Sequence, residues 1–193
     1  MATEKTRGAG RTRSWTFLIY PESAPKNWRS VLDELHIQWV ESPLHDQDIN
    51  DTGERKKPHY HILLAFDSVK AFDQVEEITK SLNSPIPQKC NSVRGMVRYM
   101  AHLDNPEKVQ YSTSDIIPHG GFDVVEALKI TATEKHVIIA EMMDFVDDND
   151  VREYYQLLQY ARKNQPEWFG VLCDSASYVM GNYIKSYRHH RSL

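Results

Sequence analysis

Apolar and polar positions in the first part of the chain predict an alternation of strands and helices. Residues 14–21 form a short apolar run that ends in a proline, and this pattern predicts a strand that the proline terminates. Residues 25–37 repeat apolar side chains at helical spacing, and residues 37–46 again indicate a strand. A polar loop containing Gly53 then leads into a third strandlike run over residues 58–66. The opening order is therefore strand–helix–strand–strand.

The same pattern continues with an amphipathic helix over 68–83, a short strand within 86–93 and a helix over 93–103. Strands and helices are mixed, and two consecutive strands are joined by a polar loop. We therefore expect an α+β fold, an antiparallel sheet with flanking helices, rather than a doubly wound parallel sheet. The apolar side of the 68–83 helix is predicted to carry Val69, Phe72, Val75, Ile78 and Leu82.

The pattern changes at residues 118–121, where one proline and two glycines predict a turn and the edge of a domain. Beyond it the periodicity is helical, so we expect residues 130–193 to form a small all-helical domain of three or more helices. Signals for the starts of its helices are the capping-box pair Thr131 and Glu134, the run Asp148–Asp150, and Pro166.

The composition is that of an ordinary globular protein: 26% of the 193 residues are charged, and the net charge is -4. No apolar run is long enough to span a membrane, and no signal-type segment follows the basic N-terminus. We therefore expect a cytoplasmic protein without a membrane partner. Cys90 and Cys173 are far apart in sequence and are predicted to be packing residues.

Positive charge is concentrated locally. Residues 1–13 hold four basic side chains against one acidic one and are predicted to be a flexible basic arm. A second patch, Arg55, Lys56 and Lys57, lies directly before the third strand. Such patches can bind phosphates even on an acidic protein, although they also serve solubility alone.

Two histidines on the third strand are the first chemical signal. Alternate side chains of a strand face the same way, so His59 and His61 share one face while Tyr60 shares the other with the apolar residues. His45 and Asp48 end the preceding strand and would lie nearby if the two strands pair. This nitrogen and oxygen set suits Mn²⁺, Mg²⁺ or Zn²⁺, and the alternative is a surface strand that binds no metal.

The helix over 93–103 supplies a candidate nucleophile. Gly95, Tyr99 and His102 are spaced to form one helical stripe, and Arg94 and Arg98 flank it, where they could meet phosphate oxygens. A phenol beside a divalent cation could attack phosphorus, because the cation stabilises the charge that develops on the phosphate. The alternative is a tyrosine that is only part of the core.

Three segments in this order, "SPLHDQD", "KKPHYHILL" and "VRYMAH", resemble the three motifs of HUH endonucleases. The similarity is greatest to the rolling-circle replication initiators of small Gram-positive plasmids. The opening segment "SWTFLIYPESAPKNW" of this chain also resembles the start of those proteins, and the resemblance covers residues 14–125 in all. It implies that Tyr99 is the nucleophile and that the metal ligands are His45, Asp48, His59 and His61. Tyr60 stands between the paired histidines, where an aliphatic residue is usual.

The resemblance further implies a function. Residues 14–129 would be an HUH, ferredoxin-like origin-binding and endonuclease domain, and 130–193 an oligomerisation domain. With Mn²⁺ or Mg²⁺ it would nick a single-stranded hairpin loop at the double-strand origin by transesterification, leave a 5′-phosphotyrosine and a 3′-hydroxyl primer, and later rejoin the strands. Expected partners are origin DNA, further copies of the chain in a homo-oligomer such as a ring, and a host helicase and polymerase.

Three alternatives remain open. A non-catalytic nucleic-acid-binding module could stack bases on Trp15, Phe17 or Tyr20 of the sheet, although this leaves the histidines unexplained. A metal-dependent phosphodiesterase would use activated water and form no covalent bond to DNA. A conjugative relaxase or a viral initiator is the third, and the sequence contains no G-x-x-x-x-G-K-[ST] motif of a viral initiator ATPase.

Overall fold

The computed structural model describes residues 10–50 and 52–190. The chain divides into two compact units between Lys129 and Ile130. The first unit contains β1 (Thr12–Ile19), α1 (Trp28–Asp33), β2 (Gln38–Glu41), β3 (Tyr60–Lys70), α2 (Phe72–Ser81), β4 (Gln88–Lys89), α3 (Val93–Met100), a 3-10 turn (Thr113–Asp115), β5 (Ile117–His119) and α4 (Val124–Leu128).

The strands form one antiparallel sheet in the order β4-β1-β3-β2-β5. The central strand β3 has Ile62 opposite Phe17 of β1 and Leu64 opposite Trp39 of β2. The predicted α+β class, its antiparallel sheet and the pairing of the second and third strands are therefore confirmed.

The two faces of β3 have different partners, as its alternation predicts. Tyr60, Ile62 and Leu64 pack on α1 and α2 in the larger core, whereas Leu63 packs on α3 and α4. The larger core also buries two aromatic residues of β1, Trp15 completely and Phe17 almost completely. These two rings are therefore unavailable for stacking bases, which contradicts that part of the binding-module alternative.

The sequence pattern predicted a domain edge at residues 118–121, but the structure has none there. These residues follow or belong to β5, an outer strand that pairs with β2 and is succeeded by α4. The His119 ring stacks on Trp39 at a centroid distance of 3.6 Å. Gly120 has φ +59°, and a Cβ atom there would lie 2.1 Å from the Ile37 carbonyl oxygen. A three-residue strand containing proline has too little periodicity to be visible in sequence.

Two other boundaries differ from expectation. Strand β1 begins at Thr12, so the predicted basic arm over 1–13 is too long at its C-terminal end, and residues 1–9 lie outside the described residues. Strand β3 continues to Lys70, which makes Val69 an exposed strand residue rather than a member of the buried side of α2. Pairing with β1 extends β3 beyond the apolar run by which the sequence defined it.

The second unit consists of α5 (Ala132–Asp148), α6 (Tyr154–Asn164), α7 (Pro166–Val171), a π-helical turn (Leu172–Ala176) and α8 (Ser177–His190). Its core is formed by residues that repeat at helical spacing, including Met142, Val146, Leu157, Leu172 and Met180. No helix in the described residues is both long enough and apolar enough to cross a membrane.

The helix starts of this unit follow the sequence signals in two of three cases. Thr131 and Glu134 form the predicted capping box, and Pro166 begins α7. The N-cap position of helix α6 is Glu153 and not a residue of the run 148–150, and Asp148 still belongs to α5. Cys173 is exposed, so its predicted packing role is wrong.

Candidate metal centre and tyrosine nucleophile

A pair of backbone hydrogen bonds joins the two histidine segments. The amide of His45 donates to the His59 carbonyl at 2.9 Å, and the amide of His59 donates back to His45 at 3.2 Å. Residues that face each other in an antiparallel bridge project to the same side. The imidazole of His61, two residues along, joins them, and its ring centroid lies 4.8 Å from that of His45 and 5.0 Å from that of His59.

His45, His59 and His61 are all buried and form one potential metal-binding group, in which one ligand atom from each lies within 4.8 Å of the others. Backbone carbonyls determine which nitrogen of two of these rings is protonated. The Lys57 carbonyl lies 2.8 Å from Nδ1 of His59, and the Met100 carbonyl lies 2.9 Å from Nε2 of His45. Since a carbonyl only accepts, each of these nitrogens carries a proton and the other one offers a lone pair.

Asp48 belongs to a second group, with His45 and His102. One Asp48 carboxylate oxygen lies 3.5 Å from Nδ1 of His45 and 3.7 Å from Nε2 of His102. The Val109 carbonyl is 2.7 Å from the other His102 nitrogen, so Nε2 of His102 also offers a lone pair. The structure thus brings His45, His59 and His61 together and places Asp48 on the His45 side, beside a histidine that the sequence analysis did not assign.

Several buried polar atoms of this region have no hydrogen-bond partner. They are Nδ1 of His45, Oδ1 of Asp48, Nε2 of His102 and the hydroxyl of Tyr111. Leaving such atoms unsatisfied costs about 1–3 kcal/mol each, and native structures rarely do so. Lone pairs and a carboxylate directed at one another are satisfied by a cation, so the donor set fits a divalent metal ion.

Burial also keeps the imidazoles in the form that binds metals. Burial, and then the charges of the neighbouring histidines, lowers the pKa of His61 to about 2. Burial lowers the pKa of His45 as well. Both rings are therefore neutral at physiological pH, and neutral imidazole is the ligand form.

Tyr99 lies next to this centre on α3. Its ring centroid is 5.1 Å from that of His61 and 5.4 Å from that of His102. The helix begins at a Ser92 cap, whose side chain accepts from the amide of Gly95 at 2.9 Å. The phenol is half-buried, which leaves it accessible to a substrate.

His102 does not share a helical stripe with Gly95 and Tyr99, as its spacing predicted. Helix α3 ends at Met100, and His102 has φ 56°, which turns its side chain into the buried centre. The one sequence signal was its place three residues after Tyr99 within "VRYMAH". Tyr111, whose ring stacks on His45 at 4.4 Å, was also missed.

The predicted DNA-contacting residues fall into two sets. Arg55, Lys56 and Lys57 are exposed before β3, and the Lys57 ammonium pairs with Glu22 at 2.6 Å. The two arginines of α3 have protein partners. Nε of Arg94 donates to the Leu128 carbonyl at 3.1 Å, and Arg98 donates to both carboxylate oxygens of Asp104.

A cleft of about 370 Å³ opens beside the phenol. It runs between α3 and the β1–β4 side of the sheet, and Tyr99 and His61 form one end of it. The remaining lining is largely apolar, and its Ile86 side chain is exposed. The cleft therefore joins a largely apolar wall to the rings of Tyr99 and His61.

Comparison with known families assigns both units of the chain to one class of protein. A family model described as "Plasmid replication protein, origin binding domain" matches residues 7–125, and one described as "Replication protein RepB, C-terminal" matches residues 132–189. The chain therefore belongs to the plasmid replication proteins and carries an origin-binding domain.

Individual relatives agree with this assignment. The chain is 48% identical to a replication protein of Staphylococcus aureus over 180 residues, which are 93% of this chain and 90% of that protein. It is 38% identical to replication protein RepB of Lactiplantibacillus plantarum over 178 residues, 91% of this chain and 81% of that protein. A RepB of Streptococcus agalactiae is 29% identical over 164 residues, 72% of this chain and 78% of that protein.

Proposed function

We propose that this plasmid replication protein initiates rolling-circle replication by nicking single-stranded DNA at the plasmid origin with Tyr99. The observation that carries the proposal is the 5.1 Å separation of the Tyr99 and His61 rings, which sets a phenol against a group of imidazoles that could hold a metal ion. Family membership supports a plasmid origin as the DNA that the protein binds. We propose that it acts in the bacterial cytoplasm.

His45, Asp48, His59 and His61 would hold the ion, which we propose to be Mn²⁺ or Mg²⁺. The carboxylate suits both ions, and the imidazoles suit Mn²⁺ better than Mg²⁺. When bound, the ion supplies positive charge that stabilises the phosphate in the transition state. The chain's own contribution is to keep His45 and His61 neutral by burial and to orient the rings of His45 and His59 through hydrogen bonds to backbone carbonyls.

The reaction is a transesterification at phosphorus. The Tyr99 oxygen loses its proton to solvent and forms a bond to phosphorus, while the bond from phosphorus to the 3′ oxygen breaks. That oxygen takes up a proton and becomes the 3′-hydroxyl that primes synthesis. Because one phosphodiester replaces another, attack by a 3′-hydroxyl on the phosphotyrosine reverses the reaction and rejoins a strand.

The substrate would be unpaired DNA, such as a hairpin loop, since a tyrosine cannot easily approach a stacked duplex backbone in line. Arg55, Lys56 and Lys57 are exposed beside the histidines and would position phosphates. The cleft that ends at Tyr99 would receive a base next to the cut. Arg94 and Arg98 already donate hydrogen bonds to protein groups, so they would contact DNA phosphates only in addition to those bonds or in place of them.

We also propose that the helical unit assembles the chain into a homo-oligomer, of which a ring is one form. Support comes from the match to the RepB C-terminal family and from exposed aromatic side chains on this unit, Tyr155 and Tyr178. A host helicase and polymerase would then act at the nick. Light scattering at micromolar concentration should give a mass above that of one chain, and a purely monomeric protein would refute the assembly.

The decisive experiment for the nicking activity compares wild type with Tyr99→Phe on a labelled origin oligonucleotide and Mn²⁺. Wild type should cut and become covalently attached to the fragment 3′ of the cut, which shifts the protein on a denaturing gel. Tyr99→Phe should bind the origin with unchanged affinity and cut nothing. Cutting by wild type without any attached fragment would favour a hydrolase that uses water.

A non-catalytic module is the other candidate, and the same assay separates it. Such a protein would bind the origin but release no 3′-hydroxyl with any divalent ion. The buried, unpaired ligand atoms of His45, Asp48 and His102 favour the metal-dependent reaction over this alternative.

A further inference from the structure

Lys108 places a charged side chain directly on the hydroxyl of Tyr99. Its ammonium nitrogen lies 3.2 Å from the phenol oxygen and 4.6 Å from the centroid of the same ring. We propose that Lys108 is a catalytic residue that stabilises negative charge on the Tyr99 oxygen during cutting and during rejoining. This inference rests on the proposed nicking function and adds a residue that no sequence motif singled out.

The loop after α3 fixes Lys108 in this position. The left-handed conformation of His102 reverses the chain, and Nδ1 of His102 donates to the Val109 carbonyl at 2.7 Å. The Lys108 amide donates to the Asn105 carbonyl at 2.9 Å, and the Gln110 side chain donates to the Lys108 carbonyl at 3.0 Å. Backbone bonds on both sides of Lys108 therefore hold its side chain against the tyrosine nine residues earlier.

Lys108 forms no ion pair within the described part of the chain, and the carboxylate with which it interacts electrostatically, that of Glu107, is exposed to solvent. Other basic residues nearby pair with carboxylates, as Arg98 does with Asp104, but Lys108 has no such ion pair among the described residues. A half-buried ammonium that faces a phenol oxygen and forms no ion pair is suited to an anion that forms during the reaction.

The chemistry assigns Lys108 a role in both directions. In cutting, the phenol proton passes to solvent, the Tyr99 oxygen bonds to phosphorus and the 3′ oxygen leaves and is protonated. In rejoining, a 3′-hydroxyl loses its proton to solvent as its oxygen bonds to phosphorus. The bond from Tyr99 to phosphorus breaks, and the departing phenolate then takes up a proton from solvent. Lys108 keeps its own proton throughout, and its attraction to the phenolate favours both the attack and the departure.

The test uses the full chain with Mn²⁺ and an origin oligonucleotide under single-turnover conditions. Removing one preorganised donor from a developing oxyanion costs about 10²–10³ in rate, and we expect Lys108→Met to slow formation of the covalent adduct by about this factor. Oligonucleotide affinity should be unchanged, and Lys108→Arg should recover most of the rate. The matched control is Lys80→Met, an exposed lysine of α2 that pairs with Glu76 on the opposite face of the sheet.

A second measurement separates a catalytic role from a structural one. Ring fluorine stabilises a phenolate, so Tyr99→3-fluorotyrosine should reduce the rate lost on Lys108→Met. An equal loss in the tyrosine and fluorotyrosine backgrounds, or a loss that appears wholly as weaker oligonucleotide binding, would overturn the role of Lys108. Failure of the nicking function itself looks different, since the wild-type chain would then form no adduct through Tyr99.

Discussion

The backbone of His45 exchanges two hydrogen bonds with that of His59, which sets two imidazoles fourteen residues apart on one side of the sheet. The next ring on that side belongs to His61, whose amide donates to the hydroxyl oxygen of Ser42 at 2.9 Å. His61 is therefore positioned by strand β3, and His45 and His59 are positioned by a backbone bridge just beyond the ends of β2 and β3.

Removing one ring should disable the proposed metal centre while the sheet stays folded. We expect His61→Ala to lower Mn²⁺ affinity by about 100-fold or more, because loss of outer-shell partners alone costs 10–100-fold. Cutting should fall in parallel. Titration of Mn²⁺ followed by electron paramagnetic resonance measures the affinity, and His136→Ala, an exposed histidine of α5, is the control. Equal Mn²⁺ affinity in His61→Ala and wild type would exclude His61 as a ligand.

The depressed histidine pKa values predict a stability that falls in mild acid. His61 has a folded pKa of about 2 and an unfolded value near 6.5, so the unfolded chain binds the extra proton between these pH values. The contribution of neutral His61 to the free energy of unfolding is fully present above about pH 6.5. It is lost as the pH decreases, at up to about 1.4 kcal/mol per pH unit. His45 acts in the same direction.

Urea unfolding in a metal chelator between pH 7 and pH 5 measures this dependence. The His61→Gln variant cannot take up the proton at this position, so its stability should vary less steeply with pH than that of wild type. Identical slopes for the two proteins would show that His61 is not buried in its neutral form.

Two adjacent glycines after β5 should respond differently to alanine. Both have positive φ, which costs a residue with a Cβ about 1–2 kcal/mol. Gly121 has open space around it, so Gly121→Ala should lower the free energy of unfolding by only this amount. Gly120→Ala should lose clearly more, because its Cβ would lie 2.1 Å from the Ile37 carbonyl oxygen and the backbone must move. Equilibrium unfolding of both variants provides the comparison, and equal losses would contradict the close approach.

The cleft beside Tyr99 predicts an effect on single-stranded substrates. Ile86→Asp places a negative charge on its apolar wall, so we expect kcat/KM for an origin oligonucleotide to fall about 10-fold, the worth of about 1.4 kcal/mol. Val125→Asp on α4 changes an equally apolar, exposed residue outside the cleft and serves as the control. A similar small effect of both variants would argue that DNA does not enter the cleft.

The sequence by itself determined the layers of the fold and most of the centre. Alternation along β3 separates His61 from Ile62, and this decides which side chains meet the larger core. The repeat of apolar residues predicts the helices that cover each face, because burial of apolar area is the dominant driving force. A capping pair such as Thr131 and Glu134 acts within one turn of helix and is therefore visible locally.

Tertiary structure decided what depends on contacts between distant residues. Strand β5 is stable because β2 pairs with it and Trp39 stacks on His119, neither of which leaves a periodic signal. His102 and Lys108 reach the centre only because the chain leaves α3 in a left-handed turn and folds back on Tyr99. Periodicity describes a residue's face within one element, whereas the partners of a charged side chain are set by how separate segments pack in three dimensions.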